Sequence, residues 1–279
     1  MMDINDIKGT TTLSNGIKMP NFGLGVYKAK DGKEVVNAIH AALEQGYRHV
    51  DTASMYKNEE GVGEAIRSAG IPREEIFVTT KVWNDDEGYE NTLKSFEQSL
   101  EKLQLDYIDL YLIHWPTPQY LDTWKALEEL YRSGKVKAIG VCNCLEHHLQ
   151  EIMDNFDIVP MVLQNEFHPR LVQQSLLDFC KKHDIQYEGW SPLMRGAIFE
   201  IDELNDIAGK YNKSIAQLAI RWSLQKGAVT IPKSVHKERI IENAQVFDFE
   251  ITTEDMQRID SLDKEERTGY HPDHFLNPS

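Results

Sequence analysis

The strongest constraint in this chain is an alternation that recurs along its length. A short β-branched apolar run is followed by a polar loop and then by an amphipathic helical segment. The runs are "NFGLGVY" (21–27), "HVD" (49–51), "IFVTTK" (76–81), "IDLYLIH" (108–114), "KAIGVCN" (137–143), "MVLQNE" (161–166), "IQYEGW" (185–190) and "AVTIPK" (228–233). Short apolar stretches bounded by turn signals suit strands buried on both faces. Between them, Leu93, Phe96, Leu100 and Leu103 mark one helical face, Trp124, Leu127 and Tyr131 a second, and Leu218, Ala219 and Trp222 a third. Ser214 with Gln217 reads as a capping box. Gly46, Gly70, Gly134 and Gly227 each close a helical stretch just before a strand.

Eight strands alternating with helices over 279 residues predict an α/β fold, a (β/α)8 TIM barrel, as one domain spanning 1–279. "TTLSNGIKM" (11–19), with Asn15-Gly16 at its centre, reads as an N-terminal β-hairpin capping one end. The rival is a doubly wound open sheet. It lacks its signature, because Gly23 and Gly25 have no third glycine to complete G-x-G-x-x-G.

In such a barrel the chemistry gathers at the C-terminal ends of the strands. Asp51, Lys81, His114, Asn143, Gln164, Trp190, Ser191, Lys233 and Ser234 stand at or near those ends, and Tyr56 lies in the loop after the second strand. Singly, a strand-end Asp often caps the next helix, and a lone Tyr or His is usually structural. The case rests on the set. A free phenol is a weak proton donor at neutral pH, and a nearby ammonium is expected to lower its pKa. Asp51 can hold Lys81 in place and charged, and His114 can hydrogen-bond a carbonyl oxygen. Tyr56 would then protonate an alkoxide as hydride arrives, so a hydride donor is required. Trp190 offers a face for a ring, and Asn143 and Gln164 suit a carboxamide. "IPKSVHKERIIENA" (231–244) sets Lys233, Ser234 and Arg239 at a loop and helix start, a seat for phosphate, although alone it also reads as an ordinary solvated helix start.

These residues resemble the aldo-keto reductase family. The resemblance runs through "GYRHVDTASMYKNEEGVGEAI" (46–66), "VTTKVWN" (78–84), "DYIDLYLIHWP" (106–116), "GKVKAIGVCN" (134–143), "QNEFHP" (164–169) and "IPKSVHKERIIENA" (231–244), nearest the bacterial branch of glyoxal/methylglyoxal and 2,5-diketo-gluconate reductases. It implies NADPH-dependent carbonyl reduction by a tetrad of Asp51, Tyr56, Lys81 and His114, with Tyr56 the general acid. It places carboxamide contacts on Asn143 and Gln164, ring stacking on Trp190, and pyrophosphate contacts on Ser191 and Leu193. The 2′-phosphate falls to Lys233, Ser234 and Arg239, and adenine to Glu242 and Asn243. Tyr27, Trp83 and Trp115 match pocket walls, where a small carbonyl would also meet His114. A non-catalytic cofactor sensor on the same fold is the alternative.

This chain departs from the family at Cys142, where many members carry serine, and at Trp190, where many carry tyrosine. Cys144 replaces a common phenylalanine. The tail after Gly269 is short, which implies an open mouth. "CNCLEHH" (142–148) lacks zinc spacing, and no metal is expected.

Composition excludes other classes. A net charge of −15 disfavours nucleic acid and anionic membranes. No apolar run approaches the roughly 18 residues of a membrane helix, and the N-terminus has no secretory core. Cys142, Cys144 and Cys180, odd in number and sparse, fit a reducing cytoplasm. The expected partner is a small carbonyl compound, and the expected assembly a monomer.

Overall fold

The computed structural model describes residues 2–275. A hairpin, β1 (Thr10–Thr12) and β2 (Lys18–Pro20), comes first. Its loop follows from Gly16, whose φ of 87° supplies the left-handed position after a turn closed by Gly16 N–H on the Leu13 carbonyl at 2.8 Å. Thr11 Oγ1 donates to Gln186 Oε1 at 3.0 Å and Asn15 Nδ2 to the Lys137 carbonyl at 2.9 Å. Both partners lie at strand beginnings, so the hairpin plugs the N-terminal end of the barrel.

The barrel strands are β3 (Leu24–Gly25), β4 (His49–Asp51), β5 (Phe77–Val82), β6 (Ile108–Ile113), β7 (Val136–Cys142), β8 (Val162–Glu166), β9 (Gln186–Trp190) and β10 (Val229–Thr230). Each is parallel to its neighbour in chain order. Bridges from Phe22 to Thr230 and from Gly25 to Lys233 join first to last and close the sheet. The helices are α1 (Lys33–Glu44), α2 (Glu59–Ser68), α3 (Tyr89–Leu103), α4 (Tyr120–Arg132), α5 (Glu146–Asn155), α6 (Gln174–Lys182), α7 (Asp202–Lys210), α8 (Ile215–Gln225), α9 (Lys237–Ala244) and α10 (Thr253–Asp260). β5 and β8 are buried at every residue, because the helical layer and the barrel interior cover both faces.

The closing strands are shorter than their apolar runs suggest. Pro232 has no N–H to extend β10. Gly25 allows close approach at the seam, since a Cβ there would stand 3.0 Å from the Ile231 carbonyl oxygen. The four helix-closing glycines all have positive φ. Ser214 caps α8, accepting the Gln217 N–H at 3.3 Å while Gln217 Oε1 accepts the Ser214 N–H at 3.0 Å. That cap matters because α8 is buried from Ile215 to Leu224, with Trp222 stacked on Phe167 at 4.7 Å.

Two glycines are predicted to respond to alanine with opposite signs. A Cβ on Gly140 would lie 2.3 Å from the Val162 carbonyl oxygen on the next strand. Gly140→Ala should destabilise by about 2–3 kcal/mol. Gly209, in α7, has nothing within 4 Å of its Cβ position, and Gly209→Ala should stabilise by about 0.5 kcal/mol. Denaturant midpoints check both.

Candidate active site

β4 and β5 run side by side with Asp51 opposite Thr79, and Lys81 follows Thr79 on the same face of its strand. The register brings amine to carboxylate inside the barrel mouth. Lys81 Nζ donates to Asp51 Oδ1 at 2.7 Å, Oδ2 at 2.8 Å and the Thr52 carbonyl at 2.9 Å. Both side chains are buried. Tyr56 arrives on the single 3₁₀ turn Ser54–Tyr56, which ends at Lys57 in a left-handed conformation. Asn58 then staples the loop, accepting from Thr52 Oγ1 at 2.7 Å and donating to the Val26 and Ala29 carbonyls, each at 3.0 Å. The Lys81 ammonium sits 5.1 Å from the Tyr56 ring centroid. His114, just past β6, faces Tyr56 edge-on at 5.7 Å and Trp83 at 5.1 Å. The four polar residues singled out in sequence thus meet in one mouth, and Tyr27 packs on Tyr56 at 5.0 Å.

Their electrostatics depart from the sequence expectation in one respect. Burial pushes the Tyr56 phenol above its ordinary pKa; the Lys81 ammonium pulls the other way and does not overcome it. Tyr56 is therefore a protonated phenol, not one depressed by its neighbour. Burial also opposes the Lys81 charge, but Asp51 and Tyr56 outweigh it and the ammonium is held. Burial, aided by Lys81, takes His114 well below its usual value, leaving a neutral imidazole whose Nδ1 is buried without a partner.

Beneath this group lies a layer that the sequence concealed. Gln164 Nε2 donates to Asp51 Oδ2 and to Glu188 Oε2, both at 2.8 Å. Asp51, ionised against Lys81, offers only acceptors, so the amide presents its nitrogen there, and this fixes its orientation. Its Oε1 receives a weak thiol contact from Cys142 at 3.5 Å. Glu188 is fully buried, and His49 Nδ1 stands 3.7 Å from its other oxygen. Burial, then the Asp51 charge, pushes the Glu188 carboxyl up to about 8. Burial and Lys81 lower His49 to about 3, so it is neutral. In sequence, Glu188 and His49 look like single polar interruptions of core strands; the inward-facing alternation with Trp190 and Asp51 was the available signal.

Around the other half of the mouth, Asn143 (φ 55°) and Ser191 (φ 56°) adopt left-handed conformations at the exits of β7 and β9. Backbone strain of this kind, about 1–3 kcal/mol per residue, gathers at functional sites. Trp190 Nε1 donates to Asn143 Oδ1 at 3.0 Å, and Asn143 Nδ2 donates to the His114 carbonyl at 2.9 Å. The indole thus makes a side-chain hydrogen bond from its ring nitrogen, and its ring remains half-buried. Leu193 is also half-buried beside it, and Cys144 is core. Lys233 and Arg239 are exposed and enter no ion pair among the described residues, while Ser234 is buried with its Oγ accepting the His236 N–H at 3.1 Å. Glu242 is tied to the α8 cap, accepting from Ser214 Oγ at 2.7 Å, and Asn243 is buried beside it in α9.

The tail, short as it is, docks at the mouth. Glu166, at the end of β8, accepts the Thr268 N–H at 2.7 Å and the Gly269 N–H at 3.1 Å. A Cβ on Gly269 would stand 2.7 Å from the Trp190 ring. The chain then crosses to the far wall, where Phe275 stacks on Trp115 at 4.1 Å and meets Trp83 edge-on at 6.1 Å. Trp83, Trp115 and Phe275 thus form one aromatic wall. Phe275 could not be placed from sequence, because nothing local says where the tail docks.

No helix among the described residues is long and apolar enough to cross a membrane. The aldo/keto reductase family profile matches residues 13–264. Glyoxal reductase of Bacillus subtilis (strain 168) is 57% identical over 271 residues, covering 97% of this chain and 98% of that protein. Methylglyoxal reductase DkgA of Escherichia coli (strain K12) is 47% identical over 268 residues, covering 94% and 96%. Among solved structures, a Gox0644 variant in complex with NADPH superposes with a TM-score of 0.90 at 44% identity, covering 95% of this chain and 97% of that one.

The buried Glu188 carboxyl gives a pH prediction. Its folded pKa, about 8, lies above the ordinary 4.5. The stability linked to its proton is therefore complete below the unfolded value and is lost as pH rises toward 8. Glu188→Gln keeps an acceptor for Gln164 and removes the titration. Its stability relative to the parent should improve with rising pH, by on the order of 1 kcal/mol or more across that range. Calorimetric Tm values in acidic and alkaline buffer check this, and a pH-independent difference would contradict it.

Proposed function

The chain belongs to the aldo/keto reductase family, and on that premise we propose that it reduces small aldehydes and α-dicarbonyls with NADPH, Tyr56 acting as general acid. The observation carrying this reading is the ammonium of Lys81, locked by Asp51 and set beneath the Tyr56 ring opposite a neutral His114. Support for the substrate class comes from the glyoxal and methylglyoxal reductases it resembles and from an aromatic-walled mouth suited to a small carbonyl.

The residues present fit the cofactor. Gln164 has its amide nitrogen committed downward, which leaves Oε1 as acceptor for a carboxamide N–H. Asn143 and Trp190 brace one another as a carboxamide contact and a ring platform. Ser191 and Leu193 would meet the pyrophosphate, Lys233, Ser234 and Arg239 would hold a 2′-phosphate, and Glu242 and Asn243 would contact the adenine. When bound, NADPH supplies hydride to the carbonyl carbon.

The chain's own groups handle the proton. His114, being neutral, donates a hydrogen bond to the carbonyl oxygen and polarises it without giving its proton away. Tyr56, kept protonated by burial, gives its phenolic proton to that oxygen as negative charge develops. An alkoxide is a far stronger base than a phenolate, so the transfer does not need a depressed phenol. It needs the phenolate stabilised afterwards, which the Lys81 ammonium does. Asp51 keeps that ammonium charged and aimed. Tyr27, Trp83 and Trp115 wall the carbonyl in.

Tyr56→Phe should lower kcat with methylglyoxal by about a hundredfold or more while leaving the Kd for NADPH nearly unchanged. Loss of NADPH binding in that variant would show Tyr56 to be structural. Arg239→Ala should raise the Kd for NADPH far more than that for NADH, measured by tryptophan quenching. Equal effects on the two would remove Arg239 from the phosphate site.

A further inference from the structure

The docked tail brings together side chains that are far apart in sequence. His147 and His148, in the first turn of α5, face Asp273 of the tail. His147 Nε2 lies 3.1 Å from Asp273 Oδ1, and His148 Nε2 lies 3.6 Å from the same oxygen. The three ligand atoms all fall within 4.8 Å of one another. A tetrahedral ion at about 2.0–2.1 Å from nitrogen and oxygen ligands holds them roughly 3.3 Å apart, and the two measured separations bracket that value. The chemistry is also selective. Two imidazoles and a carboxylate suit zinc and its first-row neighbours rather than calcium or magnesium, which take oxygen shells.

We propose that His147, His148 and Asp273 form a binding site for a divalent transition cation of the zinc class, and that its occupancy pins the tail across the mouth of the barrel. Two residues beyond Asp273, Phe275 stacks on Trp115. The ion therefore clamps the segment that builds one aromatic wall. His148 must rearrange to take part. Its Nδ1 accepts the Leu145 N–H at 3.1 Å, so ligation through Nε2 moves the ring proton to Nδ1 and exchanges one capping bond for a metal–imidazole bond. His271 lies close by, its Nδ1 4.0 Å from Asp273 Oδ2, and the fourth position is left open to water.

This site is independent of the reduction chemistry, so its test needs no substrate. The full-length protein, stripped with chelator, is titrated with zinc chloride by calorimetry, alongside His147→Ala, Asp273→Asn and His183→Ala, the last a histidine outside the cluster. One equivalent should bind the parent and His183→Ala alike, with at least tenfold weaker binding in each cluster variant. Amide exchange across residues 268–275 should slow in the parent on adding zinc and stay unchanged in Asp273→Asn. Zinc binding of equal strength in parent and cluster variants would place the ion elsewhere and overturn the proposal. So would the absence of binding to the parent, or stoichiometric binding that leaves tail exchange untouched.

Discussion

Everything at the mouth of this barrel depends on one buried ion pair. Removing a lysine and an aspartate from water costs several kcal/mol per ion, and their attraction offsets this only if the geometry is good and the remaining lone pairs and protons are satisfied. Here Lys81 donates to both oxygens of Asp51 and to the Thr52 carbonyl, and Gln164 donates to Asp51 in addition. The charge is complemented on every described side. Losing one partner would strand the other, which is why the strand register between β4 and β5 and the short turn carrying Tyr56 have little freedom to vary.

From that pair the polar order extends down into the barrel. Gln164 links Asp51 to Glu188, and Glu188 faces His49, so a column of side chains replaces what would otherwise be apolar filling. The column remains tolerable because its lower members shed their charge: Glu188 is carried up to about 8 and His49 down to about 3 by burial first and neighbouring charge second. A neutral pair below a charged pair is the arrangement that a low-dielectric interior favours.

Much of this could be read before any coordinates. The eight apolar runs gave the strand order, and the polar residue closing each run marked the mouth, because a side chain at a strand's C-terminal end has nowhere else to go in a parallel barrel. Asp51, Lys81 and His114 were legible for that reason. Glu188 and His49 were harder to read: the alternation with Trp190 and Asp51 points them inward, but a single polar residue inside an apolar run does not reveal what it meets across the barrel. The direction of the Tyr56 shift also escaped the sequence, because the ammonium is visible as a residue type and the desolvation that outweighs it is not. The docking of the tail could not be read from its length; it rests on Glu166, an acid that reads in sequence as one more strand-end carboxylate.

That attachment has a consequence for how the protein can diversify. Glu166 grips the tail through the amides of Thr268 and Gly269, groups that every residue except proline possesses, and through the Thr268 hydroxyl. The anchor therefore places almost no demand on the side chains that follow, apart from the small residue needed against Trp190. Apart from Asp273, which faces His147 and His148, the side chains after Gly269 can be rewritten, and the aromatic wall recast, without disturbing this anchor or the column beneath it. Selection can thus work on the outer rim as an exchangeable part while the inner machinery stays fixed.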